Sequence, residues 1–207
     1  MLKIGKLTVR PFVMVVQEFP EKTEFIQRHL RSVGIEAEEF PCISAVESGL
    51  ETTHKYEADN PGSGYRIGPK PTSLCVSFQM FWTAAMFMPD DYFFFIEWDA
   101  QFNLDWRERS EQAIRDTPAD FDFLFLGSCC CKDRPQRHIQ GQVYEVKYPM
   151  CNHAQIIAKK AMGTLLRTQR RIYAPADISL ANHAFPHLKV YTLLPRCVNQ
   201  FATIIPP

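Results

Sequence analysis

The chain has 207 residues, and 23 Lys plus Arg are balanced by 23 Asp plus Glu, so it carries no net charge. That balance argues against a general nucleic-acid binder, whose phosphate contacts need a basic surface. The length suits one sizeable core and a single α/β domain, and the apolar runs are too short and interrupted for a transmembrane helix or a signal peptide.

Pro11 to Val16 reads as a first buried strand, with Gln17-Glu18-Phe19-Pro20 as the loop after it. From Glu21 to Val33 the spacing is helical: Ile26, Leu30 and Val33 fall at i, i+4 and i+7, and Gly34 suits the stop. Ile35 to Phe40 suits an edge-like strand. A β-loop-α-β opening of this kind begins a Rossmann-like nucleotide-binding half. Neither GxGxxG nor a P-loop is present, which disfavours dinucleotides and NTPase chemistry. Residues 44–71 are polar and rich in turn formers, a long loop of the sort that is usually functional or mobile. Thr72 is placed to cap a helix running to Met88, with Leu74, Phe78, Phe81, Trp82 and Ala85 on one face.

Tyr92-Phe93-Phe94-Phe95-Ile96 then runs straight into Glu97-Trp98-Asp99. A continuous apolar run of this length predicts a strand buried on both faces of a mostly parallel sheet flanked by helices. Such sheets hold ligands beyond the carboxyl ends of their strands. Two carboxylates at i and i+2 in that position are suited to share a hard cation, although either could simply cap the next turn.

Asp105 and Glu108 form a D-x-x-E capping pattern for a helix through Arg115. Phe121 to Gly127 reads as another strand, in which Asp122 faces polar surroundings. Residues 128–142 read as a loop bearing Lys132, Arg134, Arg137 and His138. Strands are expected over Val143 to Tyr148 and His153 to Ala158, helices over Lys159 to Thr168 and Asp177 to Ala184, and a last strand over Leu188 to Leu194. The seven cysteines include Cys129, Cys130 and Cys131 in succession and no CxxC pair, which suits neither a disulfide framework nor a zinc site. Reduced thiols in a cytoplasmic protein are the expectation.

Four stretches together resemble the family 25-type glycosyltransferases, the group that contains lipooligosaccharide and collagen hydroxylysine galactosyltransferases. Pro71 to Phe78 with Phe81-Trp82 is similar to the family's helix entry. Ile96-Glu97-Trp98-Asp99-Ala100 sits where the family has an acidic EDD motif. Phe121 to Gly127 is similar to its WDILYLG strand. Cys151 to Ala161, then Pro175-Ala176-Asp177, then Leu194-Pro195 and Gln200, resembles its ending. The likeness spans about Val13 to Gln200. Trp98 replaces the middle acid of the motif, and Phe78 stands where a histidine is usual.

The resemblance implies a GT-A fold, with a nucleotide-binding half over about residues 10–100 and an acceptor-side half over about 101–200. It implies an inverting, metal-dependent transfer of a sugar from a nucleotide diphosphate donor, a UDP-sugar in the family pattern, to a hydroxyl of a glycan, lipid-linked glycan or protein. Mn²⁺ or Mg²⁺ would be held by Asp99 and Glu97, with His153 as a further ligand or else an ordinary buried histidine. Asp177 is read either as the general base or as the N-cap of its helix. Gln17, Glu18, Ser77 and Trp98 are candidate donor contacts, Asn152 a contact to donor or acceptor hydroxyls, and Lys132, Arg134 and Arg137 a basic loop over the pyrophosphate. A cytoplasmic protein, including one peripheral at a membrane, and an oligomer completing the acceptor side are both compatible with this pattern. Two rivals stand beside it: a glycosyltransferase-like module that binds nucleotide, glycan or protein without turnover, and a metal-assisted phosphoryl enzyme, for which further clustered acids after other strands would be needed.

Overall fold

The computed structural model describes residues 1–44, 55–57, 64–66, 69–129, 137–172 and 174–201. In chain order its elements are β1 (Leu2–Ile4), β2 (Leu7–Val15), α1 (Pro20–Ser32), β3 (Glu38–Pro41), β4 (Lys55–Glu57), β5 (Gly64–Arg66), α2 (Pro69–Phe87), β6 (Tyr92–Ile96), β7 (Ala100–Phe102), α3 (Trp106–Asp116), β8 (Phe123–Cys129), β9 (Arg137–Gln140), β10 (Val143–Glu145), β11 (Met150–Ala158), α4 (Met162–Thr168), α5 (Ala176–Ser179), β12 (Val190–Leu193) and β13 (Val198–Gln200). The main sheet runs β1-β2-β6-β11-β8-β12-β10-β9, with β3 also beside β2. Pairing is parallel for β2 with β3 and β6, and for β8 with β12. It is antiparallel for β11 with both its neighbours. Strands β2, β3, β6, β8, β9 and β12 therefore share one direction, and β1, β10 and β11 oppose it.

Phe93 to Ile96 of β6 are fully buried because helices cover both faces of the sheet. Successive side chains of a strand point to opposite faces. Phe94 and Ile96 enter the core shared with Ile26 and Leu30 of α1 and Trp106 and Ile114 of α3. Phe93 and Phe95 enter the other core, against Phe78, Phe81 and Trp82 of α2 and Leu165 of α4. Edge and tilted ring contacts, such as Phe81 on Phe95 at 4.7 Å and Phe78 on Phe95 at 5.1 Å, pack this second face. Each buried phenylalanine contributes about 1.5–3 kcal/mol of transfer free energy. Phe78 is thus a core residue.

Several local expectations change. Helix α2 begins at Pro69, three residues before Thr72, because prolines fit a first turn whose N–H groups lack helical partners. Asp105 precedes α3, but its side chain makes no capping hydrogen bond and lies 4.0 Å from Arg109 instead. Asp122 sits at the head of β8; its carboxylate accepts the Lys189 N–H at 2.8 Å and lies 3.2 Å from Lys160 Nζ. The expected 128–142 loop contains β9, which pairs with β10 around Gly141 at φ +55°. This edge strand is mostly exposed, so it has no apolar alternation to announce it. Strand β11 starts at Met150, earlier than His153. The helix from Ala176 to Ser179 continues as a π turn over Leu180–Ala184. Among the described residues no helix is long and apolar enough to cross a membrane.

Candidate active site

The carboxyl end of β6 is where the acidic pair becomes a site. Glu97 leaves the strand with its N–H donating to His153 O at 2.9 Å, and Ala100 N–H turns back to Glu97 O at 3.1 Å. The chain then enters β7, which pairs with β13 so that Ala100 lies opposite Gln200. Phe201 N–H donates to Asp99 O at 2.9 Å, and Gln200 Nε2 donates to Asp99 Oδ2 at 2.5 Å. The turn and the short ribbon therefore hold both acids facing β11.

Strand β11 supplies the third member. Its register against β8 pairs Met150 with Cys129 and next Ala154 with Gly127, so Cys151, Asn152 and His153 span a bulge opposite Ser128. Bulges recur where a strand re-aims side chains at a site. Cys151 has φ +61°, a left-handed conformation uncommon for a residue with a side chain. The fully buried His153 brings Nδ1 to 3.4 Å from Glu97 Oε2, and one ligand atom each from Glu97, Asp99 and His153 lies within 4.8 Å of the others. His153 Nδ1 and Asp99 Oδ1 are buried and have no hydrogen-bond partner, as is Asn152 Oδ1. Buried polar atoms are rarely left unpaired, and two such atoms beside the half-buried Glu97 carboxylate form a donor set that suits a divalent cation. The residues present thus fit a hard divalent ion.

Glu97 and His153 shift in the same direction for different reasons. Burial pushes the Glu97 carboxyl above its ordinary range, with Asp99 and Asp177 adding to the rise and His153 opposing it. Burial alone would lower His153, but its contacts with Glu97 and Cys129 outweigh this and leave it raised.

These groups line a cleft of about 390 Å³, bordered also by Lys70, Trp98, Cys151, Asn152, Pro175 and Asp177. Asp177 stands in the first turn of α5, while Pro175 occupies the N-cap position. Its Oδ1 accepts the Ile178 N–H at 2.8 Å and its Oδ2 the Cys151 N–H at 3.2 Å. The carboxylate therefore steadies both its helix and the bulge while it faces the cleft. Trp98 also borders a neighbouring recess of about 240 Å³ with Glu18, Phe19, Lys22 and Ser73. There Lys22 Nζ lies 4.6 Å from the Trp98 ring and 4.2 Å from that of Phe19.

The other sequence-derived candidates lie elsewhere. Gln17 lines a separate groove against α1. Ser77 is fully buried behind the cleft wall, donating to Ser73 O at 2.8 Å and accepting the Ile43 N–H at 2.9 Å. Arg137 is exposed on β9 and bound to Glu145 at 2.6 Å, at the sheet edge. Lys132 and Arg134 lie outside the described residues. Sequence reasoning did not single out Lys70, which borders both the cleft and the recess, nor Cys129, whose Sγ lies 3.2 Å from His153 Nε2. Neither stands in a motif; only the pairing of β8 with β11 brings Cys129 to Cys151 and His153.

No protein-family model and no curated protein sequence matches the chain. Solved structures do. A glycosyltransferase involved in the glycosylation of the major capsid of PBCV-1 superposes with a TM-score of 0.52 at 9% identity, over 95% of this chain and 94% of that one. The apo-form glycosyltransferase GlyE of Streptococcus pneumoniae TIGR4 superposes at 0.51 and 10% identity, over 96% of this chain and 55% of that one. Identities this low speak for architecture alone, and on that ground the chain has the α/β GT-A fold of glycosyltransferases.

Proposed function

We propose that the protein is a metal-dependent glycosyltransferase that moves a sugar from a nucleoside diphosphate donor, a UDP-sugar, to a hydroxyl acceptor with inversion. The observation that carries this reading is the trio at the end of β6 and on β11: Asp99 Oδ1 and His153 Nδ1, both buried and in no hydrogen bond, beside the half-buried Glu97. The family 25 resemblance of the same stretches supports it. Asp99, Glu97 and His153 would hold Mn²⁺ or Mg²⁺, which supplies Lewis-acid stabilisation of the departing diphosphate. Lys70 adds positive charge at the mouth of the cleft. The Trp98 and Glu18 recess receives the nucleoside, and Asn152 turns its unpaired Oδ1 to a sugar hydroxyl. Asp177 accepts the proton of the attacking acceptor hydroxyl. Residues 10–100 form the donor side and 101–200 the acceptor side.

Donor hydrolysis with Mn²⁺ tests the proposal. Wild type should release UDP from a UDP-sugar. Asp99→Asn should lose at least about a hundredfold of that activity while keeping its circular dichroism and melting profile. Retained activity removes Asp99 from the metal role.

A second reading, binding without turnover, draws on Trp98 in place of an acid and on Lys22 set over its ring. It expects a UDP-dependent thermal shift with no UDP release from any UDP-sugar.

A further inference from the structure

His153 has two ring nitrogens, and the oxygen side of the cleft uses only one. Nδ1 faces Glu97, and Nε2 lies 3.2 Å from Cys129 Sγ. Cys151 completes a second cluster: one ligand atom each from Cys129, Cys151 and His153 lies within 4.8 Å of the others. None of these cysteines is in a disulfide. Cys129 ends β8 and Cys151 opens the bulge of β11, so the pairing Met150↔Cys129 juxtaposes two thiols widely separated in sequence. Arg196, which donates to Ser128 O at 3.1 Å and reaches Cys129 Sγ at 3.6 Å, places positive charge beside the sulfur. Cys151 also borders the cleft, which leaves the cluster open to water on that side.

We infer that Cys129, Cys151 and His153 Nε2 form a second cation site, selective for a soft divalent ion such as Zn²⁺ and distinct from the oxygen-rich site on the other side of the same imidazole. Two sulfurs and one imidazole nitrogen match the ligand preference of Zn²⁺ and disfavour Mg²⁺ and Mn²⁺. The open side leaves a fourth position for water or a bound ligand. Loading is proton exchange: Zn²⁺ enters, each thiol gives up one proton, and the imidazole donates its Nε2 electron pair. No oxidation is involved.

The shared ring couples the two sites. With Zn²⁺ on Nε2, the neutral imidazole keeps its proton on Nδ1. That N–H points toward Glu97 and can no longer ligate an ion beside Asp99. Zn²⁺ therefore antagonises Mn²⁺ by withdrawing one of three ligands. This coupling rests on the metal role proposed above for Glu97 and Asp99; the sulfur site does not.

X-ray absorption of the reduced, Zn²⁺-loaded protein tests the sulfur site directly. The expected shell holds two sulfurs at about 2.3 Å with nitrogen or oxygen at about 2.0 Å. A shell of nitrogen and oxygen only overturns the inference, and this readout needs no variant to fold. Co²⁺ substitution gives the assignment. One equivalent should produce a sulfur-to-cobalt charge-transfer band that Zn²⁺ bleaches, lost in Cys129→Ser and in Cys151→Ser and kept in Cys42→Ser. A band that survives both of the first two substitutions places the metal elsewhere and overturns the site. For the coupling, one equivalent of Zn²⁺ should weaken Mn²⁺ binding, read by electron paramagnetic resonance, about tenfold in wild type and not in Cys129→Ser. An unchanged Mn²⁺ affinity with an intact sulfur–zinc shell refutes the coupling and the Nδ1 ligand while leaving the sulfur site standing.

Discussion

Glu97 shares the cleft with two other acids, Asp99 and Asp177. Its carboxyl titrates above the ordinary Glu value of 4.5 because burial disfavours the anion. A raised folded-state value means that the protonated form contributes stability, complete below 4.5 and lost as pH rises through the raised value. His153, raised above 6.5, follows the same sign: its contribution is complete below 6.5 and declines above it. In the metal-free protein, the stability advantage of wild type over Glu97→Gln should therefore shrink as pH is taken upward from 4.5. Denaturant melts across pH, with metal removed, measure it. A divalent cation reverses the balance, since both ligands must lose protons to bind. Mn²⁺ affinity should rise over the same interval, and a pH-independent affinity contradicts ligation by this pair. Asp177 is the other residue with two duties. Asp177→Asn preserves the shape but weakens the basicity, so turnover should fall more than tenfold with donor affinity nearly unchanged. If instead the melting temperature drops and the rate is spared, the contacts to Ile178 and Cys151 N–H are its whole role.

The ribbon of β7 and β13 is what aims Asp99, and its position depends on Gly127. A Cβ at Gly127 would lie 2.5 Å from Val198 O and 2.8 Å from Val198 Cβ, a backbone clash that no rotamer relieves. Gly127→Ala should cost about 1–3 kcal/mol and shift β13, loosening the Gln200 contact to Asp99. Calorimetry and Mn²⁺ titration of the same variant should therefore move together. A loss of stability with unaltered metal affinity separates the ribbon from the site. The opposite layer answers to β6. Phe95 is fully buried and packs on both Phe78 and Phe81, so Phe95→Ala should cost about 3–5 kcal/mol by chemical denaturation.

For the molecule as a whole, the cleft draws on both parts of the chain: Trp98 and Asp99 from the first, Asn152 and Asp177 from the second. A ligand that spans it should stabilise the entire fold by mass action. UDP with Mn²⁺ at a hundred times its dissociation constant should add about 2.7 kcal/mol, visible as a rise in melting temperature that Asp99→Asn abolishes. No rise with any nucleoside diphosphate counts against both readings of the cleft.

The boundary between what was legible in the chain and what was not follows physical range. The apolar run of β6, the helical spacing of α1 and the aromatic face of α2 are local patterns, and each could be read because strand and helix periods are set by the backbone. From these came the two-faced sheet and the acids at the end of β6, while the expectation that His153 and Asp177 belong near them was what the family resemblance implied. Folding decided which distant groups share a volume. Ser77 was drawn into the helix packing, and Arg137 was bound at the sheet edge. The register of β8 on β11, with its bulge, brought Cys129 to Cys151 and His153. Register depends on pairing energies summed along two strands remote in sequence, so no local motif records it.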